Sequence, residues 1–150
     1  MTLDELLDEF FVGMGGEHVD CDDDGIYRLE IDDRMVSLME SDGILHLIAA
    51  VGPVPDGDRE RVYRELLAAM FPGDGAEENT LTLKPGEDIV CLYRKEPLEG
   101  MDLERFCVLF RSFGESLIAW RDRLAEYGEG TAAQDESFSG NVFGSGFLQV

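Results

Sequence analysis

The acidic segment Asp20-Cys21-Asp22-Asp23-Asp24-Gly25 holds the residues best suited to binding a metal ion. It matches the first half of a calcium-binding loop, in which oxygens at alternate positions converge on the ion and a glycine permits the sharp turn. The second half does not match, because Ile31 stands where a glutamate should close the shell and Glu30 lies one residue too early. The segment is therefore interpreted as an acidic turn between a helix and a strand, and neither a metal nor another cofactor is predicted.

Two further groups of residues, a glycine cluster and the cysteines, are of types found in phosphate-binding loops and catalytic sites. Their spacing does not match the motifs of such sites. The glycines at 13–16 are not preceded by a strand or followed by a Lys-Ser/Thr pair, so they indicate a helix end and not a phosphate-binding loop. Cys91 and Cys107 lie at apolar-periodic positions typical of small core residues. No motif connects them to His18 or His46, and the sequence predicts that the protein is not an enzyme.

The charge of the chain excludes several classes of partner. Its 33 acidic and 12 basic residues give a net charge of −21, which repels nucleic acid and anionic lipid. Met1–Glu5 has acids where a secretory signal has bases, and no stretch approaches the roughly 18 apolar residues that cross a membrane. We therefore expect a cytoplasmic protein that neither binds nucleic acid nor inserts into a membrane.

Hydrophobic periodicity and turn residues predict an α+β fold of order α-β-β-β-α-β-β-α. The elements are a helix from Leu3 to the glycines at 13–16, strands Ile26–Ile31, Met35–Glu40 and Ile44–Val51, a helix Asp58–Phe71, strands Thr80–Leu83 and Ile89–Lys95, and a helix capped by Asp102 and ended by Gly128. They define one domain over residues 1–127. Residues 128–150 form a Gly/Ser-rich acidic tail that is expected to be flexible.

The first three strands are apolar on both faces. Alternate side chains of a strand point to opposite faces of the sheet, and the residues of one face are sufficient for a core. They are Leu29, Ile31, Val36, Leu38, Leu45 and Leu47. The opposite face is also unusually apolar. It contains Ile26, Met35, Met39, Ile44 and Ile48, interrupted by Arg28, Ser37 and His46. Methionine-containing surfaces suit variable apolar ligands, so this face is either a binding surface or core covered by a helix.

Two passages carry a resemblance to a known family. They are Ser41–Gly52, a polar turn and strand before the second helix, and Leu92–Leu103, followed by Phe106, Leu109, Phe113, Ala119, Trp120 and Leu124. Together with the order of elements, residues 3 to about 127 resemble the Tir chaperone (CesT) family of class I type III secretion chaperones.

The resemblance implies a five-stranded twisted antiparallel sheet with three helices, assembled as a homodimer. The N-terminal region of a secreted effector would wrap around it in extended form and be released by a secretion ATPase or export gate. The residues implied to form the dimer interface are Val62, Tyr63, Leu66 and Met70. Those implied to contact the effector are Leu6, Phe10, Met35, Met39, Ile44 and Ile48.

Two other functions stay open at this point. The main alternative is a dimeric α+β adaptor or regulator that binds a folded protein partner through the same surface. A small-molecule enzyme would require a pocket with clustered ionisable groups.

Overall fold

The computed structural model describes residues 2–16, 20–31, 33–71 and 79–127. The helices and strands are α1 (Leu3–Gly13), β1 (Tyr27–Ile31), β2 (Arg34–Ser41), β3 (Ile44–Pro53), α2 (Arg59–Ala69), β4 (Thr80–Leu83), β5 (Ile89–Pro97) and α3 (Leu103–Tyr127). The predicted α+β fold, with three helices and a five-stranded antiparallel sheet, is thereby confirmed. The tail at 128–150 lies outside the described residues, so the division at residue 127 stays a prediction.

Helix α1 begins at a capping box. The Thr2 hydroxyl accepts a hydrogen bond from the Glu5 N–H at 3.2 Å, and the Glu5 carboxylate accepts one from the Thr2 N–H at 2.9 Å. The helix ends where the sequence predicts, since Gly15 has a φ of 77° and the Gly16 N–H donates to the Phe11 carbonyl at 2.8 Å. These contacts fix the two ends of α1, and its buried residues Leu3, Leu6 and Leu7 belong to the core.

The sheet has the strand order β1-β2-β3-β5-β4 with every neighbouring pair antiparallel. The β2–β3 turn consists of Asp42 and Gly43, which have φ values of 55° and 77°. Positive φ at both central residues defines the two-residue turn that matches strand twist. It fixes the register in which Ser41 pairs with Ile44, and every side chain of β3 is thereby assigned to a face.

All three helices pack against one face of the sheet. Their apolar side chains form a single buried cluster with the strand side chains on that face. The contribution of α3 is the largest and comprises Phe106, Leu109, Phe110, Phe113, Leu117, Trp120 and Leu124. Helix α3 starts where the sequence predicts, because the Asp102 carboxylate accepts the Arg105 N–H at 2.8 Å.

The opposite face of the sheet, here called the open face, carries a second and smaller apolar cluster. Its buried members are Ile26, Ile48 and Cys91, and Met39, Ala50, Ile89 and Tyr93 pack against them. No residue of α1, α2 or α3 belongs to this cluster in the described part of the chain. The three helices therefore do not supply the cover that the sequence left as an alternative.

Candidate functional site

A groove of about 800 Å³ lies between α1, the outer edge of β1 and α3. Its wall is aromatic, since the Phe10 ring makes edge-to-face contacts with Phe106 and Phe110 at centroid distances of 5.3 and 5.6 Å. Leu29 and Met14 also line the groove, and Met14 is 68% exposed. An accessible apolar groove of this kind suits apolar side chains of a partner.

The groove adjoins an unpaired strand edge. In the sheet of the described residues, β1 is an edge strand that pairs with β2 alone. The N–H and C=O groups along its other edge can pair with an added strand. Side chains of such a strand would alternate between the groove and the open face, where Met35 lies beside Glu30 of β1.

The centre of the open face is built around an aromatic pair. His46 Nδ1 and the Tyr93 hydroxyl are hydrogen-bonded at 2.6 Å, and the two rings stack at a centroid distance of 5.9 Å. Met39 is the cross-strand partner of His46, and Ile48 is that of Tyr93. The result is a half-buried apolar surface with a polar group at its centre.

The pKa of His46 is lowered, first by burial and second by the charge of Lys95. The unfolded chain, with an ordinary histidine pKa of about 6.5, therefore binds a proton more readily than the folded chain does. We expect the free energy of unfolding to fall as the pH falls below the ordinary pKa. The His46→Gln variant should lose this component of the pH dependence.

Urea unfolding of both proteins between pH 5 and 8 measures the difference. Other titrating groups contribute to both curves, so the informative quantity is the wild-type value minus the variant value at each pH. A difference that does not change with pH would contradict the assignment.

A second accessible apolar surface, here called the α2–β4 patch, lies at the other edge of the sheet. Leu67 and Phe71 on the α2 side are 74% and 71% exposed, and Leu83 of β4 is 38% exposed. A hollow of about 510 Å³ lies between helix and strand and is lined by Tyr63, Leu66, Leu67, Leu81, Thr82 and Leu83. Contiguous apolar surface of this type is typical of protein interfaces.

The residues that the sequence assigned to the effector surface differ in how far they are exposed. Phe10, Met35, Met39 and Ile44 are half-buried, and Phe10 lines the groove. Leu6 and Ile48 are only 1% and 0% exposed. Leu6 faces the core because α1 lies across the sheet, and Ile48 lies in the second cluster between Ser37 and Tyr93 on the neighbouring strands. Neither side chain offers surface to a partner in this structure.

The residues assigned to the dimer interface are also divided. Val62 and Leu66 are 0% and 7% exposed and belong to the core, whereas Tyr63 and Met70 are half-buried at its edge. The apolar stripe of α2 is therefore used mainly to attach the helix to the sheet. Sequence reasoning did not select the exposed Leu67 and Phe71, although apolar residues off the main stripe were a signal for them.

The acidic turn holds itself together through Asp22. One carboxylate oxygen accepts the N–H groups of Asp24 and Ile26 at 2.8 and 3.0 Å, and the other pairs with Arg28 at 2.7 Å. These contacts lower the pKa of Asp22, the Ile26 N–H contributing most. No cluster of three potential metal ligands occurs among the residues described.

We expect Asp22→Ala to lower the melting temperature at pH 7, because two backbone donors and Arg28 lose their partner. Since the folded pKa is depressed, the difference from wild type should shrink as the pH falls through the carboxyl range. Excess EDTA should change neither melting temperature. Asp23→Ala is the matched control, and a micromolar calcium site found by titration calorimetry would contradict the interpretation.

The geometry is that of an α+β protein with helices on one face of a sheet and accessible apolar surface at both sheet edges. No helix in the described ranges is long and apolar enough to cross a membrane. The sequence model of the Tir chaperone protein (CesT) family matches residues 5–121, and the chain belongs to this family. The resemblance noted from the sequence is thereby confirmed, and the family is one of chaperones.

Solved structures with the same fold include type III secretion chaperones. SchA, known from the HopA1–SchA chaperone–effector complex, is 20% identical with a TM-score of 0.64, and the match covers 79% of this chain and 91% of that one. The ExoU–SpcU heterodimer of Pseudomonas aeruginosa contains a chain that is 17% identical with a TM-score of 0.63, covering 82% and 98%.

The fold is not confined to secretion chaperones. YbjN, described as a putative transcription regulator from E. coli, is 12% identical with a TM-score of 0.57, covering 82% of this chain and 91% of that one. No curated protein sequence matches this chain. Family membership therefore rests on the family model, and these structures support the fold.

Proposed function

We propose that this protein is a cytoplasmic chaperone that binds the N-terminal region of a type III secretion effector and keeps it extended, soluble and ready for export. The observation that carries the proposal is the family match over residues 5–121. The apolar groove beside the unpaired edge of β1 supports it, because this arrangement suits an extended segment. The activity requires no catalytic residue and no cofactor.

The proposed contact begins with strand addition to β1. Main-chain hydrogen bonds to the strand edge would hold the segment without regard to its sequence, and alternate side chains would supply specificity. One set would enter the groove near Phe10, and the other would lie on the open face near Met35, which pairs with Glu30 of β1. Met39 lies farther along β2, opposite His46, and Ile44 lies on β3, so contact with these two residues requires the segment to continue over the open face. The half-buried methionines can adjust to different apolar side chains.

We also propose that the protein is a homodimer joined through the α2–β4 patch. Leu67, Phe71 and Leu83 supply accessible apolar area there, and Tyr63 and Met70 extend it. Dimerisation leaves the groove at the β1 edge of each copy accessible. The net charge of −21 keeps the loaded complex soluble, and release is assigned to a secretion ATPase or export gate.

Co-purification with candidate secreted proteins, followed by limited proteolysis, tests the function. A chaperone is expected to protect an extended N-terminal segment of its partner, whereas a compact, fully protected partner would support the adaptor alternative. Mapping the protected peptide by mass spectrometry distinguishes the two outcomes.

Two neighbouring residues of α3 provide matched variants for this test. Cys107 lines the groove, whereas Val108 is 58% exposed and is not among the groove residues. Cys107→Trp should fill part of the groove and reduce partner capture, and Val108→Trp should not. Equal capture by both variants would exclude the groove as the binding site.

A further inference from the structure

We propose that residues 137–150 of this chain occupy the groove between α1, β1 and α3 when no effector is bound, so that an effector segment must displace them. The occupant is the same chain's own C-terminal segment. The proposal deepens the proposed function by adding a regulator of the same groove, and its effector part rests on that function.

The chemistry of the segment fits the groove. Residues 137–150 contain no ionisable side chain, although the whole chain has 45 charged residues at a net charge of −21. The segment holds Phe138, Phe143, Phe147 and Leu148 between small and polar residues. Aromatic and aliphatic side chains of this kind can pack on the apolar wall at Phe10 and Phe110.

Electrostatics favours this segment over the rest of the chain. The charged residues that line the groove are Glu30, Arg111 and Glu115, with a net charge of −1, and the N-terminal residues 1–24 hold nine acids without a Lys or Arg. Acidic segments are repelled from a groove whose charged lining residues are net negative, in a protein that is itself strongly negative. Residues 137–150 can approach with less repulsion, because none of their side chains is charged.

The connection is long enough for the same chain to reach. Ile118 lines the groove and lies nine residues before Tyr127, the last residue of α3, a rise of about 14 Å along the helix. Residues 128–142 can span up to about 50 Å when extended. Because the segment is tethered to an element of the groove itself, its effective concentration is in the millimolar range expected for short linkers.

Self-occupancy has a direct effect on effector binding. The apparent affinity for an effector equals the intrinsic affinity multiplied by the fraction of molecules whose groove is free. Covering the groove also shields its apolar surface, including Met14, from non-specific association while no effector is present. The segment would then act as a competitor that a well-matched effector displaces.

Thiol labelling of Cys107 measures groove occupancy without any effector. Cys107 lines the groove, Cys21 is exposed, and burial raises the pKa of Cys91 to about 11, so Cys91 reacts slowly. In a full-length Cys21→Ser background, the combined variant Phe143→Ser, Phe147→Ser and Leu148→Ser should label at Cys107 about fivefold faster. The control, Asn141→Ala with Gln149→Ala, should label at the rate of its parent.

Equal labelling rates for the triple variant and its parent would overturn the proposal. A cross-link adds a second measurement: Met14→Cys with Phe147→Cys, with Cys21 and Cys107 changed to Ser, should form a disulfide within a single chain on oxidation. A species of twice the mass would show that the segment of a second copy is the occupant and would also overturn it. Neither measurement contains an effector, so failure to capture one would count against the proposed function alone.

Discussion

Replacing Leu66 with Asp is expected to unfold the protein, whereas replacing Leu67 with Asp is expected to leave it folded and separate the dimer. Leu66 is 7% exposed within the core, and Leu67 is 74% exposed. Removing a buried leucine costs about 2–5 kcal/mol, and placing a carboxylate in the core adds to that loss. The total is a large part of the roughly 5–15 kcal/mol that stabilises a typical domain.

Urea denaturation and sedimentation equilibrium together separate the two effects. The Leu67→Asp variant should keep the wild-type urea midpoint and sediment as a monomer at micromolar concentration. If Leu67→Asp stays dimeric, the α2–β4 patch is not the interface. If the wild-type protein is itself a monomer at that concentration, the homodimer proposal fails.

The second large effect is expected on the open face, where Ile48→Thr and Met39→Gln should behave differently. Ile48 is 0% exposed in the second apolar cluster, so its replacement leaves a void and buries a hydroxyl, at about 2–4 kcal/mol. Met39 is half-buried, and its replacement should change stability by less than about 1 kcal/mol. Met39→Gln should instead reduce effector capture.

Urea midpoints and co-purification with the effector measure these outcomes. A substantial loss of stability in Met39→Gln would assign Met39 to the core. Normal stability and normal capture in that variant would mean that the open face around Met39 does not contact the effector.

The fold could be predicted well because local and tertiary preferences agree. The Asp42-Gly43 turn, the Asp102 cap and the glycines after α1 each have a single favourable backbone conformation, and the structure shows each where the sequence places it. The alternation Val36, Leu38 likewise assigned the core face of β2 correctly. The differences are confined to strand and helix ends and amount to one or two residues.

The candidate site was less predictable. Hydrophobic periodicity indicates that one side of a helix or strand is apolar, but it does not indicate what that side contacts. The α2 stripe containing Val62 and Leu66 has the pattern of an interface and also that of a helix attached to its own sheet, and the structure shows the second use. The groove was missed for another reason. It depends on the spacing between α1, β1 and α3, and no single segment encodes that spacing.

The place of β5 in the strand order has a consequence for how the chain folds. Strands β1 to β3 are joined by short turns, but β5 pairs with β3 only after α2 and β4 have intervened, so that Ile44 meets Pro97. Closing this long loop must precede the contacts that reward it, and such non-local pairing slows folding. During synthesis, this edge of β3 can therefore be fully paired only after residue 97 has emerged from the ribosome. Formation of the β3–β5 seam is expected to limit the folding rate, with docking of α3 following it.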